Sequence, residues 1–260
     1  MDNNEPTQSN PYAPPIASLE DDHTEAAGIF NPAGSKVPAG HSLEWISAAW
    51  GDYMRSFGAW TGLSALYLLL SMVVSCIPIG NQILLCMLAG GFLIGCQRFQ
   101  DTGVIEVGDL FAGFQSAGSG LAITGLIQAG IYYVFFVPGF VLQMAASLGH
   151  AAPQLIVGAT IVYYLLAFIG SFVLKLTIFA PALVVFHNME PLSAVKTSVS
   201  VCFKNFGAFI IFVILSYLML ACGFMCCLIG LIFVMPIYIP AYYHAYREIF
   251  LSLETAGLNE

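Results

Sequence analysis

Charged side chains are scarce in this sequence, which carries seven Lys and Arg and fifteen Asp and Glu among 260 residues. They make up 8% of the chain, whereas an average globular domain has about 25% charged residues. A soluble fold of this size could not cover its surface with so few charges, so the composition predicts a protein immersed in lipid. The small number of cations also leaves no basic stripe that could neutralise phosphates, which argues against nucleic-acid binding.

The motifs of the common enzyme classes are also missing. The chain has no phosphate-binding loop, no nucleophile elbow, no dinucleotide fingerprint and no paired carboxylates. Its five His residues form no zinc-binding arrangement, and Cys222, Cys226 and Cys227 do not match a recognised zinc spacing. We therefore predict a non-enzymatic protein with no metal and no cofactor. The cysteines are expected to be small apolar residues, although Cys76 and Cys86 join these three toward the predicted outer side, where an oxidising compartment would permit a bridge.

Three long runs contain no Asp, Glu, Lys or Arg, namely residues 56–97, 110–174 and 205–246. One hydrocarbon core takes about 20 helical residues, so each run is long enough to cross twice. Turns are expected at residues 77–82 and 222–227, with a loop at 147–154, and Pro181 should kink or end the long fourth segment. The predicted crossings are residues 58–77, 82–97, 119–138, 155–175, 206–222 and 226–244.

The absence of acids from these runs counts against a proton- or sodium-coupled pump. With six crossings, all seven cations fall at or near one side of the membrane, which is the positive-inside pattern and predicts that both termini are cytoplasmic. Lys175 is the exception that the sequence leaves open. It lies either at the inner rim or within the lipid depth, with its side chain extended outward.

Both ends are predicted to lie outside the membrane domain of residues 41–251. Residues 1–40 contain six prolines, six acids and one lysine, a composition typical of a disordered tail. Residues 252–260 form a short C-terminal tail.

A repeat relates the two ends of the membrane domain. The sequence "RSFGAW" at 55–60 recurs as "KNFGAF" at 204–209, 149 residues later, and each is a predicted corner before a hairpin. An amphipathic stretch precedes each corner, and residues 106–115 resemble a shorter third version of that stretch. Chance similarity between apolar segments is the alternative. The apolar face before each corner consists of Ile46, Trp50, Tyr53, Met54 and Phe57, or of Val195, Val199, Cys202, Phe203 and Phe206. The polar face carries Glu44, Asp52 and Arg55, or Lys196, Ser200 and Lys204. This pattern predicts an interfacial helix before each hairpin.

Small residues recur on the second and third predicted crossings. Gly91 and Gly95 form a GxxxG pattern, and Gly118, Gly125 and Gly130 follow on the third crossing. Such positions allow close approach of two helices in lipid, either within the chain or between copies of a homo-oligomer.

The remaining candidate for a site is a cluster of cations. Arg98, Lys175, Lys204 and Arg247 are predicted to gather at the inner headgroup level, with His187 and His244 nearby. Such a cluster would bind the headgroup of an anionic phospholipid or a small anionic ligand. The alternative is that these side chains only orient and anchor the chain.

Four stretches of the sequence resemble a known family: "VPAGHSLEWI", "CQRFQDTGVIEVGDLFAGF", "PLSAVKTSVSVCFKNF" and "HAYREIF". Over about residues 37–251 the chain resembles the YciC-like multi-pass inner-membrane proteins of bacteria. It is similar, more distantly, to the membrane domain attached to some glycerophosphoryl diester phosphodiesterases. The resemblance implies a six-helix domain in the bacterial inner membrane. The resemblance supplies no catalytic residues that could be transferred to this sequence. The catalytic domain of those phosphodiesterases has no counterpart here, so their activity is not implied.

Taken together, these patterns predict an all-α integral membrane protein with six transmembrane helices in three hairpins, each preceded by an amphipathic helix. The predicted function is non-enzymatic binding of lipid or of a partner membrane protein at the cytoplasmic rim. The alternative is a passive carrier or channel for a small solute, which a continuous polar cavity would favour. An enzyme acting on lipid is a third alternative, but no base or nucleophile is placed for it.

Overall fold

The computed structural model describes residues 29–77, 80–225 and 229–252, and this part of the chain is almost entirely helical. A short 3₁₀ helix, Val107–Phe111, precedes α4. The helices are α1 (His41–Arg55), α2 (Phe57–Val74), α3 (Gly80–Thr102), α4 (Ala112–Ser116), α5 (Gly118–Leu148), α6 (Pro153–Lys175), α7 (Ala180–His187), α8 (Pro191–Lys204), α9 (Phe206–Met225) and α10 (Ile229–Phe250). Two short strands, β1 (Ile29–Phe30) and β2 (Leu251–Ser252), pair antiparallel.

Six helical segments are long and apolar enough to cross a membrane. They are Phe57–Val74, Gly80–Thr102, Gly118–Leu148, Pro153–His187, Phe206–Met225 and Ile229–Phe250. The all-α class and the number of candidate crossings are therefore as predicted. Length and apolar composition make the chain a candidate multi-pass membrane protein.

The repeat has a structural counterpart in three corners that join a short helix to a long one. Backbone φ and ψ are −142° and 52° at Ser56, −143° and 32° at Ala117, and −110° and 35° at Asn205. Each corner carbonyl accepts a hydrogen bond from the backbone N–H four residues later, at 2.9–3.1 Å. The three donors, Trp60, Leu121 and Phe209, are all buried. The same corner thus occurs three times, the third time at Ala117, just after the shorter amphipathic stretch of residues 106–115.

Helix α10 lies at the centre of the packing. It contacts α1, α2, α3 and α9, whereas α6 packs mainly along α5. The largest fully buried side chains include Trp60, which stacks on Phe92 and meets Phe99 edge to face, as well as Tyr246 and Phe250. This aromatic core joins the first and last pairs of long helices.

Two of the predicted small residues lie at close helix contacts within the chain. A Cβ atom added at Gly91 would lie 2.0 Å from the carbonyl oxygen of Leu110, and one added at Gly125 would lie 2.6 Å from Cα of Ile83. A Cβ at Gly130, in contrast, would meet nothing within 4 Å. Gly91 and Gly125 therefore allow α3 to touch the 3₁₀ helix and α5 directly.

Several helix boundaries differ from the predicted ones. Helix α5 continues through Pro138 to Leu148, because a long apolar helix tolerates the loss of one backbone hydrogen bond. The fourth segment breaks at residues 176–179, ahead of Pro181, which lies in the first turn of α7, where no N–H partner is needed. Helices α3 and α10 extend past Arg98 and Arg247 to Thr102 and Phe250. A charge ends the apolar run of a helix without ending the helix.

The predicted boundary of the N-terminal tail at residue 40 is wrong for residues 29–40. Strand β1 pairs with β2, so Ser252 belongs to a strand and not to the predicted C-terminal tail. Behind β1, the Asn205 amide accepts from the N–H of Val37 at 2.8 Å and donates to the carbonyl of Ser35 at 2.9 Å. All six acids of the predicted tail lie in residues 1–28, so the composition of residues 29–40 alone is apolar enough to pack. Residues 1–28, 78–79, 226–228 and 253–260 lie outside the described part, and these ranges include parts of both predicted turns.

Candidate ligand-binding chamber

The predicted cluster of six cationic and His side chains does not form a single site. Arg98 pairs with Glu106 at 3.1 Å and with Asp109 at 2.8 Å. Lys204 donates to the backbone carbonyls of Ala33 and Gly34, at 3.2 and 2.5 Å. Both cations bind other parts of the chain. These contacts occupy hydrogen-bond donors that an anionic headgroup would need.

The two His residues are also engaged. The Nε2 atom of His187 lies 2.5 Å from the hydroxyl of Tyr246, and its ring stacks on Phe30 with a centroid separation of 3.5 Å. The Nε2 atom of His244 lies 2.7 Å from a carboxylate oxygen of Asp52. Arg247 has no ion pair with any described residue. Arg98, Lys204, His187 and His244 therefore serve contacts within the chain, and no contact among the described residues joins any two of the six.

Asp52 lies in a different environment from the predicted one. The sequence pattern places it on the polar face of α1, but its exposed fraction is 3%. Its carboxylate accepts hydrogen bonds from Gln100 at 2.5 Å and from His244 at 2.7 Å, and Arg55 lies 3.6 Å away. Small side chains on the same face, such as Ala49, let α10 approach α1 closely enough to bury the acid. Asp52 thus joins α1, α3 and α10.

A second carboxylate makes a similar connection nearer the start of α1. Glu248 accepts from the Trp45 indole and pairs with Nδ1 of His41, each at 2.5 Å. The hydrogen bond to this carboxylate, together with its negative charge, raises the pKa of His41 above its ordinary value against the opposing effect of desolvation. The contact between α1 and α10 is therefore strongest when His41 is protonated.

Lys175 contacts none of the other cations in the described chain and is partly buried between α6, α9 and α10. Its Nζ atom donates to the hydroxyl of Tyr238 and lies 4.6 Å from the ring centroid of that tyrosine. The ring of Tyr217 is 5.8 Å away. Tyr238 comes nine residues before Arg247 in α10, which corresponds to about 14 Å along a helix axis. Lys175 is therefore near the middle of α10 and not at the level of Arg247.

The Lys175 side chain lines a chamber of about 390 Å³ between α2, α3, α5, α6, α9 and α10. Its lining combines apolar and polar side chains. The apolar ones include Leu85, Leu174, Ile178, Met235 and Ile239. The polar ones are Tyr67, Gln82, Gln128, Ser171, Lys175, Tyr217, Tyr238 and Tyr242.

Some polar groups of the chamber are paired and one is not. Gln128 donates to the hydroxyl of Thr177 at 3.0 Å, and Ser171 shares a 2.9 Å hydrogen bond with Tyr217. The hydroxyl of Tyr242, a residue with an exposed fraction of 6%, has no hydrogen-bond partner among the described residues. Of the described residues that line the chamber, none is Asp or Glu. The chamber thus offers one cation and several neutral donors and acceptors.

A periodic signal for the chamber is present in the sequence. Ser171 and Lys175 are four residues apart on α6, and so are Tyr238 and Tyr242 on α10. This spacing places each pair on one helix face. This spacing alone predicts no site, because polar residues scattered over six apolar helices form a site only where the helices pack with those residues toward each other.

No further kind of site is evident in the described residues. None of their His, Cys, Asp and Glu side chains form a group of three or more that could hold a metal ion. An apolar groove of about 620 Å³ between α2 and α10 shares Met235 with the chamber. Comparison of the chain with protein-family models, curated proteins and solved structures gives no match. Fold and site together thus define the class as a six-helix candidate membrane protein with a chamber inside its helical bundle.

Proposed function

We propose that this protein is a non-enzymatic membrane protein that binds an amphiphilic small molecule inside its helical bundle. The observation that carries the proposal is the placement of Lys175 in a chamber of mixed polarity, near the middle of α10. An ionisable side chain at such depth in a membrane domain is costly and generally marks a functional site. Chambers with mostly apolar walls and a few convergent polar groups are typical ligand sites.

The proposed binding site lies inside the bundle and not at the cytoplasmic rim. Arg98 and Lys204 are engaged by Glu106, Asp109 and backbone carbonyls, so they offer little to an external headgroup. A partner protein or a second copy remains compatible with the exposed apolar surface of α6. No contact in the described chain favours either one over lipid.

The membrane arrangement that we propose keeps three hairpins, each preceded by an interfacial helix. Exposed apolar side chains on α1 and α8 support it: Trp50 and Met54 on α1, and Leu192 and Phe203 on α8, are each about half exposed. Polar side chains such as Lys196 occupy another face. A helix with one face in the core, one apolar face outward and one polar face fits the boundary between lipid and water.

We further propose that the corners and both termini face the cytoplasm of a bacterium, as the distribution of cations and the resemblance to YciC-like proteins imply. Cysteine labelling in intact cells tests this orientation. With Cys76 retained as the only cysteine, an impermeant maleimide should label the protein from outside, because Cys76 is exposed between α2 and α3. With Asp101→Cys as the only cysteine, labelling should require permeabilised cells. Labelling of Asp101→Cys from outside would contradict the orientation.

A passive carrier is the second candidate function, and the position of the chamber near mid-bundle favours it. Toward the end of the bundle that contains the corners, however, the next turn of α10 carries Tyr246, and α7 carries Leu183, both fully buried. These two side chains give no support to a continuous path through that end of the bundle. Binding without transport is the simpler function of this geometry.

Filling the chamber should abolish ligand binding. Ala89 of α3 lines the chamber, and the ring introduced by Ala89→Phe would occupy that space without displacing backbone. We expect Ala89→Phe to reduce the amphiphile that co-purifies in a neutral maltoside detergent by about tenfold or more. Native mass spectrometry of the full-length protein measures the bound mass.

The matched control is Ala145→Phe, which adds the same ring to an exposed position of α5. It should retain wild-type occupancy. Equal occupancy in wild type and Ala89→Phe, with both variants folded by size-exclusion chromatography, would rule out the chamber as the binding site.

A further inference from the structure

We infer that the ligand of the chamber is a monoanion whose negative oxygens pair with Lys175. This inference rests on the proposed function, because it specifies the charge of the molecule that the chamber holds. The chemical class is an amphiphile with one carboxylate or one phosphodiester group. Neutral and zwitterionic amphiphiles should bind less tightly.

The chamber carries a single charge of its own. Lys175 is the one charged residue among the described residues that line it. The sequence has no Asp, Glu, Lys or Arg in residues 56–97, 110–174 or 205–246, which supply most of the walls. A ligand with a single negative charge balances this site, whereas a dianion or a diphosphate would need further cations.

The ammonium group of Lys175 is partly buried. Withdrawing such a group from water is unfavourable unless an opposite charge compensates. The contacts of Lys175 within the chain are the hydroxyl of Tyr238 and the faces of Tyr217 and Tyr238. These contacts are neutral and recover only part of that cost. A bound anion supplies the missing opposite charge.

Tyr242 adds an unpaired donor to the same chamber. Its buried hydroxyl has no hydrogen-bond partner in the described chain. The backbone N–H of Ala182 is directed at its oxygen, but an N–H cannot accept the hydroxyl proton, which has no acceptor in the described chain. Buried hydroxyls are nearly always hydrogen-bonded, so an unpartnered one in a cavity points to an acceptor that is supplied from outside. Lys175 and Tyr242 both line the chamber, so an anionic ligand bound there has two donors available.

The hydrocarbon part of the ligand has an adjoining apolar groove to occupy. Met235 belongs both to the chamber and to the apolar groove lined by Leu68, Leu69 and Ile232. In a bilayer a hydrocarbon tail gains little by moving from lipid to such a groove, because lipid is equally apolar. Discrimination therefore comes from the charged end of the ligand.

The test compares oleate with oleyl alcohol, which have the same chain and differ in charge. Both are titrated into the full-length protein in phosphatidylcholine nanodiscs, and the dissociation constants are measured with isotope-labelled ligand. We expect wild type to bind oleate about tenfold or more tightly than oleyl alcohol, as a charge-assisted hydrogen bond implies. Lys175→Met should reduce this preference to within about twofold, and Lys175→Arg should retain it.

The matched control is Lys196→Met, which removes one exposed positive charge from α8 and should leave the preference unchanged. Added phosphatidylglycerol distinguishes the two sources of the anion: displacement of oleate assigns a phosphodiester, and failure to displace assigns a carboxylate, both of which support a monoanion. A preference for oleate that survives in Lys175→Met, or no preference in wild type, would overturn the inference. If Ala89→Phe still removes both ligands, only the assignment of charge fails; if Ala89→Phe has no effect, the proposed function fails.

Discussion

Replacing Gly91 with alanine is expected to destabilise the protein strongly. The added Cβ would lie 2.0 Å from the carbonyl oxygen of Leu110, 2.5 Å from the carbonyl carbon of Leu110 and 2.8 Å from the carbonyl oxygen of Asp109. All three are backbone atoms, so no side-chain rotation relieves the clash. Overpacking typically costs about 1–3 kcal/mol, and we expect Gly91→Ala to reach or exceed that range. The measurement is the apparent melting temperature in a neutral detergent, with monodispersity by size exclusion.

Gly130→Ala is the matched control, since its Cβ would meet nothing within 4 Å. Alanine favours a helix over glycine by about 1 kcal/mol, so this variant should be at least as stable as wild type. The opposite signs of the two changes separate close packing from helix propensity. A Gly91→Ala protein that melts within about 2 °C of wild type would show that α3 does not contact the 3₁₀ helix as described.

Replacing Asp52 with alanine should cause a second large loss of stability. The side chain is nearly inaccessible and connects three helices through Gln100 and His244. Its removal leaves both partners unpaired in a buried place, which costs about 3 kcal/mol. For a chain of this size we expect the melting temperature to fall by about 6–12 °C. The melting temperature of Asp52→Asn should fall less, because both hydrogen bonds end on Oδ2 of Asp52 and the amide oxygen of asparagine can take that position.

The control for charge is Asp101→Ala, which removes an exposed carboxylate from the same end of α3. Surface substitutions of this kind usually change stability by less than about 0.5 kcal/mol. If Asp52→Ala and Asp101→Ala have equal effects, the buried network does not stabilise the contacts among α1, α3 and α10.

The helices and their class could be predicted from the sequence because a membrane imposes its requirements locally. Each apolar run must satisfy its own backbone hydrogen bonds and must be long enough to cross, so the six segments are visible one at a time. The repeat is visible for the same reason, since residues 55–60 and 204–209 carry a local corner. Boundaries were less predictable, because Arg98 and Arg247 mark the end of apolar composition and not the end of α3 or α10.

The site depends on contacts between distant residues. Cationic residues that the sequence places at the inner headgroup level are expected to form one cluster. In the structure, Arg98 and Lys204 instead pair with nearby acids and carbonyls, and Lys175 contacts Tyr238. Asp52 belongs to the polar face of an amphipathic helix in the sequence and is nevertheless buried by α10. In each of these pairs the two residues are more than one helical turn apart in the sequence, so no spacing rule reveals the pair.

The sequence by itself determined that this protein has six helices able to cross a membrane and two corners of one kind, because apolar length and corner residues act within a few turns. Only the tertiary structure decided which charges are buried, which are paired and where space remains. Those outcomes depend on how closely α3, α6 and α10 approach one another, and that distance is set by side chains far apart in the chain.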